Sequence, residues 1–266
     1  MRTDSAGFSV KAAASPGAAV PGAAGPWSAY KARYSSGEWR GPIFRDLILA
    51  DARAMKQRPD KLTFLDIGCG GGFDGDIGLQ QSLSEAADFY IGVEPDREIQ
   101  LSDVFTDTHR CCFEDAPIPE ESVDVAFAVM VLEHVKDPRA FWGKLHRVLR
   151  GGGCFWGLTV DARHWFVLMS ALMEKLRLKD AYLDGLHGRR GEMRYENYPV
   201  CYRANTPRQI ARLTTGFSAI DILNFRRVGQ LDFYIPGRLR WLGHLLDSLA
   251  IAAGLPGPVM AVRVEK

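Results

Sequence analysis

The sequence of 266 residues contains no long apolar run and no excess of charge of either sign. Its 33 Lys and Arg residues nearly balance its 32 Asp and Glu residues, which gives a formal net charge of +1. A near-neutral chain lacks the broad basic surface of nucleic-acid-binding proteins, so nucleic acid is not expected as a partner. Every apolar run is shorter than the roughly 18 residues of a membrane-spanning helix, and the first residues lack the compact apolar segment of a secretory signal. These absences favour a cytoplasmic protein.

Cysteine is scarce and is not arranged for a disulfide framework or a metal site. The five cysteines are Cys69, Cys111, Cys112, Cys154 and Cys201. Their number is odd and no two have the spacing of a CxxC pair, so the sequence predicts reduced thiols and no bound metal.

The first part of the chain divides into two segments of different composition. Small or helix-breaking residues fill 18 of the first 26 positions, and this composition predicts a disordered leader over residues 1–26. Apolar residues then recur at steps of three and four, which predicts a helical lid over residues 27–60.

The next hundred residues alternate short apolar runs with longer mixed segments. Residues 62–67, 89–93, 123–130 and 154–160 each have the pattern of a buried strand. Buried strands separated by helix-length connections predict a parallel sheet with helices on both faces. One of these helices is expected over residues 138–149, with Asp137 as its cap and the glycines at 151–153 as its end. Later patterns predict helices near 164–178, after 205 and near 238–253, and strands near 217–225 and 259–264.

The strongest motif is a glycine loop at the end of the first strand, in the sequence LDIGCGGG of residues 65–72. Open α/β sheets bind ligands at this edge, and glycines at 68, 70 and 72 allow a ligand to approach the backbone. Glu94 follows the next strand, where a carboxylate can accept hydrogen bonds from both hydroxyls of a ribose.

The glycine spacing by itself permits two cofactors. Gly70, Gly72 and Gly75 match the GxGxxG spacing of dinucleotide enzymes, so an NAD(P)-dependent oxidoreductase is one alternative. The acidic side chain of Asp66 would repel a pyrophosphate but suits a ligand that carries an ammonium and a sulfonium. Asp66 therefore favours the second kind of ligand.

With these motifs, the sequence resembles the class I S-adenosylmethionine-dependent methyltransferases of the type 11-like, small-molecule branch. The resemblance covers residues 60–160 and rests on five segments in the expected order: 66–72, 92–95, 114–124, 131–135 and 147–153. It implies a doubly wound, mostly parallel, seven-stranded Rossmann-like sheet over residues 61–266. It also implies S-adenosylmethionine as the cofactor and methyl transfer as the reaction.

Site residues follow from the same resemblance. Asp66 and the backbone of Gly68, Gly70 and Gly72 would hold the methionine part, and Glu94 the ribose. Phe113 and Glu114 would line the adenine, and Val129 lies in the segment that closes the pocket floor. Cys112 stands where many relatives have an acidic residue.

A base is needed only if the acceptor loses a proton, and the candidates are His134, His187 and Tyr195, followed by Asp161, His164 and Tyr198. For His134 and the neighbouring Glu133, the alternative is that both only fix the following segment by hydrogen bonds.

The acceptor is predicted to bind under a cap formed by residues 162–205. Residues 187–212 contain six arginines and two glutamates, a local charge of +4 that suits an anionic acceptor, or else forms a solvated loop. The helix over 238–253 has an apolar stripe that packs on the sheet or on a partner subunit, or lies on a membrane as a peripheral contact. A small molecule, a saccharide and a lipid-linked molecule all fit as acceptor, and a catalytically silent cofactor-binding module is a further alternative.

Overall fold

The computed structural model describes residues 27–55, 61–187 and 198–266 of the chain. Its helices are α1 (Ser28–Ser35), α2 (Arg40–Met55), α3 (Ile77–Ser84), α4 (Pro138–Val148), α5 (Trp165–Lys175), α6 (Lys179–His187), α7 (Pro207–Leu213) and α8 (Arg240–Ala252). Its strands are β1 (Thr63–Ile67), β2 (Phe89–Val93), β3 (Asp107–His109), β4 (Val123–Val129), β5 (Leu149–Val160), β6 (Ala219–Phe225) and β7 (Val259–Glu265).

The seven strands form one sheet in the order β3-β2-β1-β4-β5-β7-β6. All neighbours pair in parallel except β7, which runs antiparallel to both β5 and β6. The order reverses between β1 and β4, and ligands bind beyond the carboxyl ends of the strands at such a point. The predicted doubly wound, mostly parallel sheet of seven strands is confirmed.

Two apolar cores cover the two faces of the sheet. Helices α1, α2 and α3 contribute to the first core, in which Phe44 and Leu47 of α2 are fully buried. Helices α4 and α7 contribute to the second core, around Trp142 and Leu145. Because both faces are covered, every residue of β1 is buried, as its continuous apolar pattern predicts.

Helix α4 begins as its sequence predicts but ends differently. The carboxylate of Asp137 accepts hydrogen bonds from two backbone amides of the first turn and so caps the helix. The glycines at 151–153 do not end it, since the helix stops at Val148 and β5 starts at the next residue. Gly153 lies inside β5, where a Cβ atom would come within 3.0 Å of the carbonyl oxygen of Asp124. That part of the prediction is wrong because the three glycines lie within β5 and do not terminate the helix, and Gly153 is required there by a close contact between backbones.

Several predictions fall on residues outside the described ranges. The disordered leader over 1–26 and the candidate base Tyr195 are among them. Helix α2, in the predicted lid, packs its apolar side against the sheet. The division of the chain into lid, domain and cap stays a prediction.

Candidate functional site

The glycine loop lies between β1 and α3 and has a backbone that only glycine adopts easily. Gly68 has a φ of 73° and Gly72 a φ of 102°. A Cβ atom on Gly68 would come within 2.4 Å of the side chain of Val131, which follows β4. The loop therefore packs directly against the segment that leaves β4.

Glu94 ties the loop after β1 to the loop after β2. One carboxylate oxygen accepts a hydrogen bond from the amide of Gly70 at 3.0 Å, and the other accepts one from the amide of Asp96 at 2.9 Å. An ionised carboxylate has about four acceptor positions, so two stay available to a ligand. These acceptor positions fit the two hydroxyls of a ribose, which donate.

Asp66 lies beneath the loop and is held by two side chains that the sequence analysis missed. Its Oδ2 accepts hydrogen bonds from the hydroxyl of Tyr90 at 2.9 Å and the amide of Gln80 at 3.1 Å. The same amide group also donates to the carbonyl of Cys69 in the loop, at 3.0 Å. Burial raises the pKa of Asp66 to about 7, although the bonds from Gln80 and Tyr90 oppose this change. The only sequence signal for Gln80 is its place on a helix that Asp76 caps.

The predicted adenine turn follows β3. The ring of Phe113 is buried in the second core and lies edge-on to Phe141 at 5.1 Å between centroids. Lys144 of α4 donates to the carbonyl of Glu114 at 3.0 Å and to that of Ala116. Helix α4 thus holds the turn in place. Cys112, which directly precedes the turn, is exposed. The role of Phe113 and Glu114 toward a ligand stays a prediction, as does that of Val129.

A cavity of about 560 Å³ begins at the carboxyl end of β4 and extends between α5, α6 and α8. This volume falls in the usual range for small-molecule sites. Its lining includes Met130, Glu133 and His134, which follow β4. The rest is mainly apolar and includes Trp165, Phe166, Met169, Met173, Phe233, Leu239, Leu242 and Leu246.

Arg40 of α2 also lines this cavity and was missed in the sequence analysis. Its guanidinium makes two hydrogen bonds to the carboxylate of Asp74, at 2.8 and 2.9 Å. Asp74 lies two residues after Gly72 in the glycine loop. The pair therefore joins the start of α2 to the segment that follows the glycine loop.

A strap formed by residues 198–203 passes over the segment after β4. Tyr198 donates to the carboxylate of Asp96 at 2.7 Å, and the carbonyl of Pro199 lies 2.9 Å from Nδ1 of His134. The amide of Cys201 donates to the carbonyl of Glu133 at 2.6 Å. The strap thus connects the rim of the cavity with the loop that follows Glu94.

The candidate bases occupy different surroundings. His134 lies on the cavity wall, and His187 stacks on the cavity residue Phe233 with 4.1 Å between ring centroids. Asp161 is fully buried and pairs with Arg163 at 2.7 Å. His164 is buried too, and it caps α5 by accepting a hydrogen bond from the amide of Phe166. These last two side chains make contacts within the fold, whereas His134 lies in the lining of the cavity. Their catalytic roles stay predictions.

Comparisons with known proteins identify methyltransferases as relatives of this chain. Residues 65–157 match the family model described as a methyltransferase domain. An uncharacterized methyltransferase of Mycolicibacterium vanbaalenii is 36% identical over 98 residues, or 35% of this chain and 36% of the relative. The ubiquinone biosynthesis O-methyltransferase of Parvibaculum lavamentivorans is 30% identical over 132 residues, or 46% of this chain and 50% of the relative. The chain thus matches half or less of the length of these two curated relatives.

A solved structure extends the likeness in fold beyond the matched residues. A methyltransferase from Thermotoga maritima, described as a possible histamine N-methyltransferase, superimposes with a TM-score of 0.50. The superposition covers 90% of this chain and 99% of that structure at 16% identity, so it concerns the fold alone.

Proposed function

Because the chain contains a class I S-adenosylmethionine-dependent methyltransferase domain, we propose that it transfers the methyl group of S-adenosylmethionine to an acceptor bound in the cavity. One observation carries the proposal: the glycine loop and Glu94 lie at the sheet edge from which the cavity begins. A cofactor on the loop and an acceptor in the cavity then meet beside Met130. S-adenosylmethionine supplies a methyl group that its sulfonium already makes electrophilic, so the protein mainly aligns the reactants and excludes water.

Three residues around the glycine loop are each assigned a different part of the cofactor. Asp66 supplies negative charge toward the ammonium of the methionine part, and Glu94 accepts from the ribose. Arg40 is paired with Asp74 but keeps further N–H donors beside the loop, and these suit the carboxylate of the methionine part. The buried position of Asp66 makes a pyrophosphate a poor ligand here, which opposes the dinucleotide alternative.

The lining of the cavity favours an apolar acceptor. Most side chains along its walls are aromatic or aliphatic, and a saccharide would leave many hydroxyl groups there without partners. Of the three acceptor classes, a lipid-linked or other apolar small molecule therefore fits best. The name of the Parvibaculum lavamentivorans relative specifies transfer to oxygen, and we extend this to the present chain. An anionic group on the acceptor stays a prediction, since Arg189 and Arg190 lie outside the described residues.

Calorimetric titration with S-adenosylhomocysteine, compared with NAD, tests the cofactor assignment. We expect saturable binding of S-adenosylhomocysteine only. Since the pKa of Asp66 is about 7 in the free protein and the ammonium prefers the ionised carboxylate, affinity should rise as the pH increases through about 7. The gain should approach tenfold per pH unit below that value. Asp66→Asn should bind more weakly and lose this dependence. Preference for NAD, or the same pH dependence in the variant, contradicts the assignment.

Helix α8 has exposed apolar side chains and also lines the cavity, and we propose that its exposed surface contacts a membrane that carries the acceptor. Trp241 is 64% exposed and Leu249 57%, while Leu242 and Leu246 of the same helix line the cavity. Within the described ranges, no helix has the length and apolar character needed to cross a bilayer. A peripheral contact therefore suits this surface better than a span.

Flotation with phosphatidylcholine–phosphatidylglycerol vesicles tests this contact. The wild-type protein should float with the vesicles, and the double variant Trp241→Ser/Leu249→Ser should lose most of this binding because both side chains are exposed and apolar. Phe89→Ser is the matched control, since Phe89 is 41% exposed at the opposite, amino end of β2. Equal binding by all three proteins, or by none, contradicts the proposal.

A further inference from the structure

Glu133 is a buried carboxylate of the cavity wall to which the proposed function assigns no role so far. The residue is 4% exposed and lines the cavity together with Met130 and His134. Val131, two residues earlier, packs against Gly68 of the glycine loop. Glu133 thus lies where the predicted cofactor site meets the acceptor cavity.

Neutral groups hold the side chain of Glu133 in place. Its Oε2 accepts a hydrogen bond from the hydroxyl of Thr159 at 2.7 Å, and that hydroxyl oxygen accepts one from the amide of Asn205 at 2.7 Å. Among the residues that the structure describes, none forms an ion pair with this carboxylate within 4.0 Å. Such a carboxylate is fixed in position but lacks a counter-ion, and this favours uptake of a proton.

The charged and titratable groups around Glu133 come from three directions. His134 adjoins it in the chain, Arg40 approaches from α2, and Tyr202 belongs to the strap. Burial raises the pKa of Glu133, and the nearby His134 and the bond from Thr159 only oppose this rise. A carboxylate with a raised pKa is a stronger base near neutral pH than an ordinary one.

We propose that Glu133 is the catalytic base and that the acceptor is an apolar molecule with a hydroxyl group, such as a phenol or a catechol. The O–H bond of the acceptor breaks, and its proton moves to a carboxylate oxygen of Glu133. The acceptor oxygen forms a bond to the methyl carbon, while the bond between that carbon and sulfur breaks and leaves its electron pair on sulfur. The proton then passes from Glu133 to solvent, so atoms and charge balance. This inference rests on the proposed function.

Binding of 4-nitrophenol to the complex with S-adenosylhomocysteine tests the role of Glu133 without turnover. Calorimetry in buffers of different ionisation enthalpy counts the protons taken up between about pH 8 and 9, where the nitro group leaves this phenol largely ionised. A phenolate beside an ionised Glu133 places two negative charges together. Binding of the phenolate to the wild-type protein should therefore be accompanied by the uptake of about one proton at the upper end of this pH range. Glu133→Gln should bind the phenolate with about no uptake.

The substitution and its control separate the role of Glu133 from a structural one. The amide oxygen of Gln at position 133 still accepts from Thr159, so the local fold is kept. Glu85→Gln makes the same chemical change at an exposed carboxylate outside the cavity lining, and this variant should take up a proton like the wild type. Uptake that persists in Glu133→Gln, or a wild type that binds S-adenosylhomocysteine but not 4-nitrophenol, overturns the assignment of the base. Failure to bind S-adenosylhomocysteine overturns the proposed function instead.

Discussion

Glu94→Ala is expected to weaken the binding of S-adenosylhomocysteine by about 100-fold. The carboxylate organises the site before the ligand arrives, because it accepts from the amides of Gly70 and Asp96. It also offers its remaining acceptor positions to the ribose. Loss of charge-assisted bonds of about 1.5 to 3 kcal/mol each accounts for an effect of this size. Isothermal calorimetry on the variant, with thermal unfolding to establish that it is folded, measures the change.

A shorter ligand distinguishes the two acidic residues of the site. 5′-Methylthioadenosine contains the ribose and the base but no amino-acid group. Glu94→Ala should weaken both ligands, whereas Asp66→Asn should weaken S-adenosylhomocysteine much more than 5′-methylthioadenosine. Glu98→Ala, at an exposed carboxylate close in sequence, should change neither affinity. A folded Glu94→Ala variant with wild-type affinity for both ligands would exclude Glu94 from the site.

Asp51→Ala should lower the free energy of unfolding by about 3 kcal/mol. The carboxylate of Asp51 in α2 accepts hydrogen bonds from the indole of buried Trp156 at 2.7 Å and from Arg263 at 2.6 and 3.1 Å. Its removal leaves a buried indole N–H without its acceptor and a largely buried guanidinium with fewer partners. Urea unfolding measures the difference.

Asp46 provides the matched control on the same helix. Its carboxylate pairs with Arg33 and Arg45, but its side chain is 29% exposed. Water screens such pairs, so Asp46→Ala should cost about 1 kcal/mol or less. Similar losses for the two variants would mean that Asp51 does not anchor α2 to the sheet.

The sequence predicts where the residues of the cofactor site lie, because loops at strand ends are local features of the chain. Asp66, the glycines and Glu94 directly follow or end apolar strands, so their position at one edge of the sheet follows from the parallel order. Gly153 shows the limit of the same reasoning, since a helix end and a close backbone contact both select glycine.

The cavity could not be predicted in this way. Its walls come from distant parts of the chain, from Trp39 to Val259, and no local pattern shows that these side chains face one another. The surroundings of Glu133 depend likewise on Thr159 and Asn205. The apolar periodicity of the sequence also does not show which side chains pair. It therefore cannot reveal that Asp161 is fully buried and forms an ion pair with Arg163.

The position of β7 between β5 and β6 bears on when the sheet can form during synthesis. Strands β1 to β5 can pair in parallel as soon as they leave the ribosome, but β6 has no neighbour in the sheet until β7 follows it. Until residue 265 has emerged, β5 presents an unpaired edge and β6 stays outside the sheet. Unpaired strand edges in partly made chains favour aggregation. The nascent protein is therefore expected to need a chaperone most while β7 is still within the ribosome.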